Sequence, residues 1–134
     1  MNVRLLRKIQ KHILAEPKRY NQNVTIETDQ DEIRDVNGGV PKCGTMACIG
    51  GWAYILSRVR PNLDFTFDHL GKARRELKIT DEQADRLFDS VASGCTNYWP
   101  KKYADAYLKA KTPAGRARAA ARRIDHFIKT KGAE

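Results

Sequence analysis

Lys42-Cys43-Gly44-Thr45-Met46-Ala47-Cys48-Ile49-Gly50-Gly51-Trp52-Ala53 carries two of the chain's three cysteines and one of its two tryptophans. A threonine hydroxyl can accept a hydrogen bond from a backbone N–H two or three residues on, so Thr45 is the expected helix N-cap. The helix that follows spans about 46–59, and Pro61 bars it from continuing much further. Ile49, Trp52, Ala53 and Leu56 share one face. Cys48, Ile55 and Val59 fill much of the rest, and no charged residue lies between Lys42 and Arg58. A helix apolar nearly all round is a buried helix. This one falls short of the roughly 20 apolar residues that span a bilayer, so no membrane partner is expected. The predicted fold class is mainly α: a compact helical domain around this central helix, with room for a small two-stranded β element.

Gly50-Gly51 in mid-helix costs about 1 kcal/mol per glycine relative to alanine. Bare backbone there permits close approach, by another helix or by a ligand. Cys43 precedes the helix, where the positive end of the helix dipole favours thiolate. Three readings of it stay open: a packing residue beside the cap, a reactive cysteine, or a metal ligand. Cys48 reads as a small buried hydrophobe.

Outward from this centre, residues 1–134 read as one domain. The N-terminal segment is an amphipathic helix capped by Asn2 and ended before Pro17, with Leu5, Leu6, Ile9 and Ile13 inward. His12 borders that stripe as a half-buried structural histidine. Residues 20–42 form an irregular loop or lid leading to Cys43. In it Asn21 and Gln22 sit in a turn with exposed hydrogen-bonding side chains. Val24 and Ile26 suggest a short strand, and Leu63, Phe65 and Phe67 form either a second strand paired with it or simply an extended segment that docks its aromatics.

Further on, Asp68 caps a helix over 69–77. Thr80-Asp81-Glu82-Gln83 is a capping box before a helix that buries Ala84, Leu87, Phe88 and Val91. Tyr98 and Trp99 lie on a second loop, as binding aromatics or as a plug for the core edge. Pro100 suits the first position of the next helix, and Thr112-Pro113 opens the last, which Gly132 stops.

The formal net charge is +9, which fits a polyanion such as nucleic acid, an acidic protein, or solubility alone. Arg116, Arg118, Arg122, Arg123, Lys129 and Lys131 are expected to form a basic solvent face on the last helix. A helix-turn-helix over 68–90 is disfavoured, because its second helix is acidic, the wrong sign against phosphate. The Cys-x-x-x-x-Cys spacing lies outside the commoner zinc loops. Asp29, Asp31 and Glu32 lack the glycine and closing glutamate of an EF-hand. With no phosphate loop or dinucleotide fingerprint either, no metal and no cofactor is expected. An odd cysteine count and a charged amphipathic N-terminus, without an apolar signal core, point to the cytoplasm.

Cys43-Gly44-Thr45-x-x-Cys48-Ile49-Gly50-Gly51-Trp52-Ala53 resembles the signature of a family of small phage and bacterial proteins with no assigned activity. In that family a Pro-x-x-aromatic-Asn-Gln piece precedes the motif, as in Pro17–Gln22 here. A Leu-Lys-Ile-Thr-type segment follows it, as in Leu77–Phe88. The chain departs at Gly50, where the family usually has alanine, and in its acidic insert before Cys43. The resemblance implies a phage or prophage setting, hence host-cell cytoplasm, and supplies no catalytic residues.

Three functions follow as expectations. The first is a non-enzymatic binding or inhibitory protein acting on a host (defence) factor or small ligand. Its site is expected near Asn21, Gln22, Cys43, Gly44, Thr45 and Trp52, roofed by the loop and by Tyr98 and Trp99. The second is a basic nucleic-acid-binding accessory protein. The third is a hydrolase or transferase using Cys43 as nucleophile, activated by His12, His69 or His126.

Overall fold

Every residue of the central helix is buried, but the helix is shorter than its sequence suggests, running over Ile49–Leu56 (α2). The computed structural model describes residues 1–28, 45–58, 61–64, 67–91 and 98–134. The other helices are α1 (Val3–Ala15), α3 (His69–Leu77), α4 (Asp81–Phe88), α5 (Lys101–Lys109) and α6 (Pro113–Lys129). A 3-10 turn covers Pro17–Arg19, and β1 (Ile26–Glu27) pairs antiparallel with β2 (Met46–Ala47). The protein is thus mainly α with a small two-stranded sheet. No described helix is long and apolar enough to cross a membrane.

Thr45 does not cap α2. Met46 and Ala47 are extended in β2, and the cap is Cys48, whose Sγ accepts the Gly51 N–H at 3.4 Å. The reason is tertiary. The Cys48 N–H donates to the Val24 carbonyl at 2.8 Å, and the Asn21 N–H donates to the Ala47 carbonyl at 3.2 Å. Residues 45–48 are therefore bonded to the 21–27 segment and cannot wind into the helix. The same pairing takes the place of one between Val24–Ile26 and the segment that holds Leu63 and Phe67, and these two residues follow the docking alternative. Leu63 is buried instead, and Phe67 packs its ring against Tyr54 and His69 at 5.6 and 5.4 Å. Val59 and Phe65 lie outside the described residues.

The locally encoded helix ends match their sequence signals. Asn2 Oδ1 accepts the Leu5 N–H at 3.1 Å, and Asp68 Oδ1 accepts the Gly71 N–H at 3.0 Å. Thr80 and Gln83 close a reciprocal capping box, and Thr112 Oγ1 accepts the Gly115 N–H at 3.1 Å. The end of α6 differs in detail: after the C-cap Thr130 the left-handed position falls on Lys131, at φ 53°, and Gly132, at φ 78°, follows it with its N–H donating to the Phe127 carbonyl at 2.8 Å. Pro100 stands one residue earlier than expected, as the N-cap of α5.

Helices α1 and α6 pack against each other, and α1 and α3 flank α2. Leu5, Leu6, Ile9 and Ile13 of α1 are buried with Trp52, Ile55, Ala120, Ile124 and Phe127 in one core. His12 lies at the rim of this core, its ring centroid 4.1 Å from that of Trp52. Its Nε2 is buried and has no hydrogen-bond partner among the described residues. Burial, and then the charge of Arg19, lower its pKa.

A histidine with a lowered folded-state pKa binds its proton more readily when unfolded. Its neutral form therefore supports stability above the unfolded value of about 6.5, and that support is lost as pH falls below it. Between pH 7.5 and 5.0 the wild-type melting temperature is expected to fall further than that of His12→Phe, which keeps the ring contact without the titration. Equal falls in thermal melts of the two proteins would remove His12 as the cause.

Candidate functional site

The residues expected to line a site are mostly engaged in holding the fold together. Trp52 is fully buried. Its Nε1 donates to the Arg19 carbonyl at 3.0 Å, and the Arg19 guanidinium lies 5.1 Å from the ring centroid. Thr45 is buried as well, its Oγ1 2.6 Å from Thr28 Oγ1. Asn21 closes a local turn, its Oδ1 accepting the Asn23 N–H at 2.9 Å. Cys43 and Gly44 lie outside the described residues.

Gln22, expected on an exposed turn, is 2 % exposed and bonds through both atoms of its amide. Its Oε1 accepts from the Tyr20 hydroxyl at 2.9 Å and from the Ile49 N–H at 3.3 Å. Its Nε2 donates towards the Leu87, Phe88 and Asp89 carbonyls at 3.2, 3.0 and 3.0 Å. One amide thus satisfies an orphan N–H at the start of α2 and orphan carbonyls at the end of α4. Asn23 adds a second clip, its Oδ1 accepting from Ser90 Oγ at 2.9 Å and from the Val91 N–H at 3.1 Å. A turn composition with polar side chains signals hydrogen bonding but not its direction, so sequence alone placed Gln22 in water.

Beside this clip lies a cleft of about 490 Å³ between the 22–25 segment, α3 and α4. Leu70, Ala84 and Phe88 supply its apolar lining, and Gln22 and Cys48 line it too. Burial pushes the Cys48 thiol pKa up, favouring the neutral thiol. Asp81, Asp85 and Asp89 make the lining acidic, with Arg74 ion-paired to Asp81 at 2.8 Å. Asp85 and Asp89 have no ion-pair partner among the described residues. Tyr98 joins the lining and is 47 % exposed, whereas Trp99 is a core plug, its Nε1 donating to the Leu87 carbonyl at 3.4 Å. The helical spacing of Leu70, Ala84 and Phe88 was legible, but not that two helices would leave a gap between them.

The basic face of α6 needs one correction. Arg116, Arg118, Arg122, Lys129 and Lys131 are exposed, but Arg123 is fully buried. Its Nη2 donates to the Arg86 carbonyl and its Nη1 to the Glu134 carbonyl, both at 2.9 Å, with the guanidinium 5.4 Å from the Phe127 ring centroid. Burial lowers its pKa to about 10, so it remains charged at neutral pH. It serves as a cross-brace from α6 to the end of α4.

The three histidines fall into three separate ring clusters: His12 with Trp52, His69 with Tyr54 and Phe67, and His126 with Tyr103. No protein-family model matches the chain, and neither a curated protein nor a solved structure matches it.

Proposed function

We propose that this is a small phage- or prophage-type binding protein that acts by occupying a partner rather than by chemistry, as an inhibitor of a host factor. The observation that carries the reading is the cleft between the 22–25 segment, α3 and α4. Around it the described motif side chains are committed to internal bonds, while an apolar lining with acidic edges is left facing outwards. Such a concavity fits an apolar side chain flanked by positive charge, as on a basic stretch of a protein partner. The resemblance of the central motif to phage and bacterial proteins without assigned activity supplies the setting.

The test is affinity capture from bacterial lysate in 0.5 M salt, followed by native mass spectrometry of the eluate. A partner retained in stoichiometric amount by the wild type, and lost by the exposed substitution Asp85→Arg, is the expected result. Retention of the same species by Asp85→Arg, or elution of the bare chain alone, would overturn the cleft as the site.

A further inference from the structure

A second surface, on the side of α1 and α6, is built with the opposite charge. Arg118, Arg122, Asp125 and Lys129 follow one another at helical spacing along one face of α6. The single carboxylate in that row is taken by Arg7 of α1. The row therefore continues on to the exposed face of α1, where Arg4 and Lys11 neighbour Arg7. On its other side a groove of about 330 Å³ separates α6 from α5, lined by Lys102, Tyr103, Arg122, Asp125, His126 and Lys129. The Lys102 ammonium lies 4.8 Å from the Tyr103 ring centroid. His126 Nε2 bonds Glu134 at 2.7 Å, which keeps that carboxylate on the imidazole. Arg4, Lys11, Lys102, Arg118, Arg122 and Lys129 have no ion-pair partner among the described residues.

We infer that this face binds the phosphate backbone of nucleic acid, without reading base sequence. Charge density favours this occupant. From Arg118 to Lys129 the row is about 16 Å long, at ~1.5 Å of rise per residue. An extended acidic peptide covers that length with about five residues, alternate ones facing away. An acidic helix places about four carboxylates along one face over the same length. Double-stranded nucleic acid presents roughly nine phosphates over that length on its two strands together, about half of them towards one side. The six unpaired cations and Arg7 are spread across α1, α6 and α5, three neighbouring helices of about 10 Å each, a width that two phosphate strands span and a single acidic strand or helix face does not. Arginine predominates in the row, and its planar fork suits phosphate oxygens. The surface is separate from the cleft, so either proposal can fail without the other.

The test is fluorescence anisotropy of a labelled 20-base-pair duplex of mixed sequence, titrated with the whole protein from 50 to 200 mM salt. Contact with five to seven phosphates predicts an affinity loss of about a thousandfold over that range. The variant R118Q/R122Q/K129Q is expected to flatten the log–log salt slope by about 2 to 3, near 0.9 per phosphate contact removed. R118K/R122K/K129R should keep it. K18Q/K109Q/K111Q removes the same charge elsewhere and should also keep it. All these side chains are exposed, and circular dichroism melts confirm that each variant folds.

No binding at 50 mM salt would overturn the inference. So would equal weakening by the two glutamine triples, which would make net charge the cause, or equally tight binding to poly-glutamate, which would assign the face to an acidic protein.

Discussion

Gln22→Glu is expected to be the most damaging single-atom exchange in this protein. The new oxygen would face the Leu87, Phe88 and Asp89 carbonyls at the present Nε2 distances of 3.0 to 3.2 Å. The Phe88 and Asp89 carbonyls would lose their Gln22 donor, the Leu87 carbonyl would keep only the longer bond from Trp99 Nε1 at 3.4 Å, and a buried carboxylate would be set against them. A lost donor leaves a buried polar group unsatisfied, at about 1–3 kcal/mol. An uncompensated buried charge brings the total to roughly 3–5 kcal/mol, which takes up much of a typical domain's 5–15 kcal/mol or so of stability.

The pH dependence separates charge from lost bonding. Burial among carbonyls raises the folded-state pKa of the introduced carboxyl above its unfolded value of about 4.3. The native form with that carboxyl protonated is then favoured at low pH, and its stability is lost as pH rises through the folded-state pKa. Urea melts at pH 7 and pH 5 should show Gln22→Glu recovering on acidification. Gln22→Leu, which loses the hydrogen bonds but carries no charge, should not recover. A Gln22→Glu midpoint close to wild type at pH 7 would show that the amide does not clip α2 to α4.

Gly51→Ala is expected to rank next. A Cβ on Gly51 would stand 1.9 Å from the Thr25 carbonyl oxygen and 2.8 Å from the Ala47 Cβ. The carbonyl is main chain, and its neighbour Val24 is tied to α2 by the Cys48 N–H, so the segment has little freedom to retreat. Alanine regains about 1 kcal/mol of helix propensity, but overpacking against main chain costs about 1–3 kcal/mol or more. A net loss of up to about 2 kcal/mol is expected, the main-chain clash at 1.9 Å placing it at the upper end, and the β1–β2 pairing is the first structure to give.

Gly50→Ala meets side chains instead, Leu70 Cδ2 at 2.6 Å and Phe88 Cγ at 2.9 Å. A leucine methyl can rotate away, so its loss should be smaller. Thermal melts in which Gly50→Ala loses more than Gly51→Ala would contradict the close approach of the 24–26 segment to α2.

Close approach was one of the two uses that glycine in mid-helix allows, but its object was hidden. Gly51 meets a main-chain carbonyl 26 residues back, Thr25, across a loop whose course no local pattern gives. Among the expected site residues, Trp52, Thr45 and Trp99 have aromatic or hydroxyl groups that suit a ligand and a core edge alike. Only their neighbours decide between the two. Of the adjacent pair Tyr98 and Trp99, the first lines the cleft and the second is buried in the core.

What the sequence determined by itself was local. The stripe of Leu5, Leu6, Ile9 and Ile13 and the caps at Asn2, Asp68, Thr80 and Thr112 rest on bonds spanning three residues or on helical spacing, and they hold in the folded chain. Tertiary structure alone decided that Cys48 rather than Thr45 caps α2, that Gln22 is buried and that Arg123 is an internal brace. Gln22 reaches carbonyls 65 to 67 residues away, and Arg123 reaches one 37 residues away. A polar side chain goes inward only where distant backbone groups left unsatisfied at helix ends wait to receive it, and those ends meet only when the helices pack.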